Sequence, residues 1–162
     1  MDRKVYELID SYRDEFVGML QKWIRTPSVK GEPAEKAPFG ADVRKMLDLA
    51  MADAAGLGFP VRDFDGYACD ITLGDQEEKI AVLGHLDVVP IGDGWTLPPF
   101  EPVIRDGRMY GRGSSDDKGP VVAAMYAMAA VRQGRKSGGR ALRPGDPQDA
   151  GHGGGGRAVA GL

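Results

Sequence analysis

Apolar positions in the first 26 residues recur at intervals of three and four: Val5, Leu8, Ile9, Tyr12, Phe16, Leu20, Trp23 and Ile24. That period puts them on one face of a helix, with Asp2 placed to cap its start and Pro27 just past its end. Residues 28–38, with Gly31, Pro33 and Pro38, read as a loop. A second helix is expected over 39–55, with Val43, Leu47 and Ala50 on its buried face and Gly56 as its C-terminal cap.

The period then shortens to that of strands. "VRDF" (61–64) is a short candidate, and "YACDITL" (67–73) alternates before Gly74-Asp75. "KIAVLGHLD" (79–87) carries a solid apolar run, the pattern of a strand buried on both faces. Glu77-Glu78 just before it reads as a solvated hairpin turn. "PVIRDGRMYG" (102–111) holds Asp106-Gly107 between two short strands, which predicts a hairpin with a type I′ turn. "GPVVAAMYAMAAV" (119–131) returns to a helical pattern, with Pro120 in its first turn. Two helices, three strands, a hairpin and a helix predict an α/β sandwich.

Length and composition narrow the class. At 162 residues the chain can bury one real core. A net charge of −3 argues against a nucleic-acid partner, which selects for basic proteins. The single cysteine, Cys69, excludes a disulfide within the chain and reads as a small core residue. No apolar leader and no membrane-length apolar run are visible, so a soluble cytoplasmic protein without membrane partners is expected.

Composition breaks near residue 133. Ten of the last thirty residues are Gly, and Phe, Tyr, Trp, Ile and Met are absent. Residues 133–162 carry five Arg or Lys against two Asp, opposite in sign to residues 1–132. Such a segment buries too little apolar area to offset its ordering entropy, and is expected to be disordered.

Two short stretches carry candidate chemistry. In "GHLDVVP" (84–90), His85 and Asp87 follow an apolar strand and point to one side by alternation. They sit where open α/β sheets place ligands. His85 reads as a metal ligand and Asp87 as the carboxylate that fixes its tautomer. The plainer reading is a strand-end His bonded to a neighbouring loop. In "GRGSSDDKGP" (111–120), Asp116 and Asp117 open a helix between glycines. A carboxylate there suits the bridging of two divalent ions. Helix capping by Ser114, Ser115 and the two Asp is the competing account.

Taken together, "GHLDVVPIGDGWTLPPFEPVIRDGRMYGRGSSDDKGP" (84–120) resembles the metallopeptidase M20 family, most closely its dipeptidase V-like branch. The resemblance runs back to the first helix and on to about Val131. It implies a three-layer, zinc-exopeptidase-like α/β catalytic domain, incomplete here, with the lid domain missing. By the same resemblance His85 binds one metal, Asp116 bridges two, Asp87 supports His85 in catalysis, and the Asp116–Asp117 peptide is cis. The implied cofactors are two divalent ions, Zn2+ or else Mn2+ or Co2+. The implied reaction is hydrolysis of a short peptide, with a Glu as general base. N-acyl amino acid and succinyl amide deacylation are related alternatives, and the oligomeric state stays open.

The chain also departs from the family. A Glu-Glu pair is expected near Ala150 and Gly151, and later acidic and His ligands are absent; His152, in "GHGGGG", is a poor substitute. Residues 1–132 therefore read as the N-terminal part of the catalytic domain. Residues 133–162 read as a tail foreign to it, of the kind a shifted reading frame in GC-rich DNA yields. Without a general base, the chain is expected to turn over negligibly, leaving at most a non-catalytic remnant that binds metal weakly. Around the two motifs, Trp95, Pro98, Pro99 and Phe100 form an apolar loop that either packs on the sheet or lines a cleft. Arg112 reads as structural, and Lys118 as charge balance or a salt bridge.

Overall fold

The computed structural model describes residues 3–137 and 155–161. The N-terminal periodicity resolves into two helices, α1 (Arg3–Ser11) and α2 (Arg13–Ile24), broken at Tyr12. Tyr12 is drawn out of register by its partners: its ring meets Tyr126 at 5.4 Å between centroids, and its hydroxyl bonds Gln133. Asp2 lies outside the described residues. Helix α3 (Ala41–Gly56) buries Val43, Leu47 and Ala50 completely, as the spacing predicts. Its end differs from the expectation. Gly56 stays helical, and the positive φ that stops the chain falls on Gly58, at 81°. The backbone N–H of Gly58 donates to Ala55 and that of Phe59 to Ala54.

Strands β1 (Val61–Phe64) and β2 (Ala68–Thr72) pair antiparallel through a tight turn at Asp65-Gly66, where both residues have positive φ. β4 (Val103–Arg105) and β5 (Arg108–Tyr110) form the predicted hairpin, with Asp106 at φ 52° and Gly107 at φ 71°. Between them in sequence lies β3 (Lys79–His85), and α4 runs from Lys118 to Ser137.

The larger sheet has the order β1-β2-β6-β3, and β6 is Gly155–Gly161. This corrects the reading of 133–162 as a disordered tail at both ends: its first residues continue α4, and residues 155–161 form a central strand. Residues 138–154, including Ala150, Gly151 and His152, lie outside the description. Composition registers side-chain burial only. A strand that pairs antiparallel with β2 and parallel with β3 satisfies backbone groups on both of its edges, which needs no large side chain. With β6 between them, β2 and β3 do not pair, so Glu77-Glu78 lies in an exposed connection rather than a hairpin turn.

One core joins Trp23 of α2, Met46, Leu47, Ala50 and Ala54 of α3, Cys69 and Ile71 of β2, and Val122 and Met125 of α4. Cys69 is buried within it. The described helices thus cover one face of the sheet, two of the three layers that the resemblance implies. β3 departs from expectation here too. Ile80, Val82 and Leu83 are 67%, 51% and 78% exposed, because β3 ends the sheet with β6 as its one strand neighbour.

Candidate metal centre

The candidate site assembles where three segments meet: the end of β3, the loop before α4, and the loop after α2. The last of these fixes the strand end. Buried Ser28 donates from Oγ to the Leu86 carbonyl at 2.7 Å, and the Val88 N–H donates back to the Ser28 carbonyl at 3.0 Å. Leu86 and Val88 are buried, so His85, Asp87 and Val89 alternate toward the open side.

The loop before α4 is held by an unusual anchor. Lys118 is fully buried, and its Nζ donates to the carbonyls of Trp23 at 3.0 Å and Thr26 at 2.8 Å. Trp23 is in the last turn of α2, where its carbonyl also accepts from the Thr26 N–H at 3.1 Å, and Thr26 follows just past the helix. Lys118 is therefore a crosslink to backbone rather than the salt bridge that the sequence suggested. Burial pushes its pKa down to about 8, against a smaller opposing pull from Asp87.

Asp117 makes the second tie. Its Oδ2 accepts from the His85 backbone N–H at 3.1 Å, so this carboxylate holds the strand end. The approach requires Gly84: a Cβ there would lie 2.7 Å from Asp117 Oδ2 and 2.5 Å from Val121 Cγ2. The Asp116–Asp117 peptide is cis, as the resemblance implies.

These ties bring His85, Asp87 and Asp116 together. His85 Nδ1 lies 3.1 Å from Asp87 Oδ1 and 3.1 Å from the Asp87 carbonyl oxygen. His85 Nε2 lies 3.0 Å from Asp116 Oδ1, on a side chain that is 85% exposed. Desolvation alone would lower the His85 pKa. The hydrogen bond to Asp116, the backbone bond to Asp87 and the two negative charges together raise it above the ordinary imidazole value.

Two donors on one tetrahedral zinc sit about 3.3 Å apart, close to the His85–Asp116 separation. The pair thus fits two positions around an ion. Among the described residues no group of three or more His, Cys, Asp or Glu is arranged to hold a metal. Sequence reasoning missed Asp117 and Ser28 as positioning residues. Asp117 was legible only as half of a carboxylate pair, and nothing around Ser28 signalled a contact 58 residues away.

The apolar loop after Asp87 leans over the same region. Trp95 Nε1 donates to the Ile91 carbonyl at 2.8 Å, and Arg112 spans the two motifs. Its NH2 donates to Ile91 at 2.9 Å and lies 3.4 Å from the Pro90 carbonyl, while its guanidinium sits 5.1 Å from the Trp95 ring. The structural reading of Arg112 matches these contacts.

Comparison with known proteins adds to this geometry. The model of Peptidase family M20/M25/M40 matches residues 81–141. "Putative dipeptidase YtjP" of Bacillus subtilis is 40% identical over 122 residues, which cover 74% of this chain and 26% of that protein. A Staphylococcus aureus relative (strain USA300), also named as a putative dipeptidase, is 39% identical over 124 residues, covering 75% of this chain and 26% of its own length. The chain thus spans about a quarter of the length of these curated relatives. Among solved structures, human carnosine dipeptidase 1 aligns with a TM-score of 0.74 at 26% identity, over 98% of this chain and 34% of that one. The Saccharomyces cerevisiae di-peptidase Dug1p shares the fold, with a TM-score of 0.68 at 23% identity, over 98% of this chain and 33% of that one.

Proposed function

The chain belongs to peptidase family M20, and from that premise we propose that it carries the N-terminal part of a metal-dependent dipeptidase catalytic domain, with α4 to Ser137 and strand β6 included in it. The observation that carries this reading is the convergence of His85 Nε2 and Asp116 Oδ1 at 3.0 Å, with Asp87 behind Nδ1. His85 and Asp116 would hold a divalent ion, zinc first and manganese or cobalt next. Asp87 would keep the imidazole turned toward it. A bound ion of this kind polarises a scissile carbonyl and acidifies water. The substrate is a short peptide, and the setting cytoplasmic. The related deacylation of N-acyl amino acids would use the same ligands.

One observation favours a second reading for this chain by itself. The described residues bring two donors to one ion, where zinc sites use three or four protein ligands. With no Glu at 150 or 151 to take a proton from water, the chain alone is a weak metal binder with negligible turnover. A zinc titration by calorimetry tests both readings, set beside hydrolysis of L-alanyl-L-leucine. Weak binding that His85→Ala abolishes, with no hydrolysis, is the expected result. Binding unchanged by His85→Ala would overturn the site, and ordinary enzymatic turnover would overturn the remnant reading.

A further inference from the structure

A cavity of about 290 Å3 opens directly beside Asp116, between the hairpin β4–β5 and the loop that carries Trp95. We propose that it is the subsite for an apolar side chain of the peptide substrate, which names a substrate class for the peptidase reading above and rests on that reading. Its side-chain lining is Trp95, Met109, Tyr110, Arg112, Ser114, Ser115 and Asp116. Trp95 and Tyr110 are each 39% exposed, so both rings present area to a ligand while their remaining surface is packed.

The volume is at the lower end of the roughly 300–1,000 Å3 of small-molecule sites, the scale of a single residue. The lining is mixed: Trp95, Met109 and Tyr110 supply its apolar surface, and Ser114, Ser115 and Asp116 its polar surface. Arg112 is the cation nearest to hand, but two of its three nitrogens are withdrawn. NH2 is bound to the loop carbonyls, and Nε is shut off from solvent. Its guanidinium over Trp95 holds the indole in place, since the same side chain bonds the loop on which the indole sits. A peptide whose carbonyl lies at Asp116 would therefore lay its neighbouring side chain against two rigid rings. Each ring adds contact area at little entropic cost.

The test uses the full chain and two dipeptides of nearly equal shape, L-alanyl-L-leucine and L-alanyl-L-asparagine, titrated by two-dimensional amide NMR. Both are neutral in the side chain, so the carboxylates around the site do not bias the comparison. The expected result is saturable shifts at Gly111, Gly113, Ser115 and the Trp95 indole, with leucine bound about ten-fold more tightly. Tyr110→Ala and Trp95→Phe are each expected to shrink that preference. The indole resonance of Trp23, buried in the core, reports whether each variant is folded. Equal affinity, preference for asparagine, absence of saturation, or a preference that survives Tyr110→Ala in a folded chain would each overturn the proposal. A separate zinc titration followed at the His85 ring keeps the two readings apart. Zinc that moves His85 while the dipeptides bind equally sinks the pocket alone. Leucine preference with a His85 ring unmoved by zinc sinks the metal reading and leaves the pocket standing.

Discussion

Strands β2 and β3 belong to one sheet and have similarly apolar sequences, yet they meet opposite fates. In β2, Cys69 and Ile71 are buried at 0% and 1% exposure. In β3, Ile80, Val82 and Leu83 stand more than half in solvent. Ile71 and Val82 even share a register row through Ala158 of β6, so they lie on the same face of the sheet. What separates them is neighbours. β2 lies beneath α3 with a strand on each side, whereas β3, although α4 packs on it, ends the sheet with β6 as its one strand neighbour. An apolar run records the environment for which a strand is built, and this chain supplies that environment on one side only. The 122 residues matched in one curated relative make up 26% of that protein. A flat, apolar strand edge of this kind is also a template for pairing with other chains.

The largest expected effect separates the two strands directly. Ile71→Ala removes side-chain volume from a filled core and should cost about 3 kcal/mol of unfolding free energy. Leu83→Ala removes a side chain already in water and should stay within about 0.5 kcal/mol. Urea denaturation of both variants checks this. Similar losses would mean that β3 is covered in solution, by another copy or another segment.

Lys118 sharpens the comparison from the covered side. Replacing it with Met removes a donor from the Thr26 carbonyl and leaves the Trp23 carbonyl with the Thr26 N–H alone, at a cost on the order of 2 kcal/mol. The pH dependence is more specific. The folded-state pKa of about 8 lies below the ordinary lysine value of 10.5, so between these values the unfolded chain holds a proton that the folded chain has released. Stability from this group therefore rises with pH across that window. A neutral amine still has hydrogens for both carbonyls. Denaturant midpoints at pH 7.5 and 10 should diverge less in Lys118→Met than in the parent. An equal change in both would place the ammonium in water.

Gly84 marks the point where β3 passes from uncovered to covered. Gly84→Ala drives a methyl into Val121 and the Asp117 carboxylate, and should cost about 1–2 kcal/mol. It should also weaken zinc binding, because Asp117 holds the His85 backbone. Unchanged stability together with unchanged zinc affinity, read by calorimetry, would show that the strand end shifts freely.

These contrasts also show what was legible beforehand. The α3 face, the Asp106-Gly107 hairpin and α4 could be read from period and turn chemistry, because each is decided within a few residues. His85, Asp87 and Asp116 stood out as candidates by residue type and spacing, and the structure brings His85 within 3.1 Å of Asp87 and 3.0 Å of Asp116. Local pattern failed where the answer lay far off in sequence. Tyr12 breaks the first helix for partners at 126 and 133. Lys118 reaches carbonyls more than ninety residues away. β6 enters the sheet through backbone pairing that no count of apolar side chains registers.

The smallest effect tests the covered end of β3, at His85. The carboxylates of Asp116 and Asp87 raise the His85 pKa, while the ring stays 42% exposed, so solvent screens the pairs. The folded chain holds this proton more tightly than the unfolded chain does. The stabilisation is therefore complete below the ordinary imidazole value and fades as pH rises through the folded value above it. For so exposed a pair it should amount to a few tenths of a kcal/mol. Thermal midpoints of the parent and His85→Gln should differ at pH 5.5 and converge by pH 8.5. Zinc competes for the same nitrogen, so its affinity should rise over the same interval. A difference in midpoints that grows toward pH 8.5 would mean that His85 is held neutral by contacts other than these carboxylates.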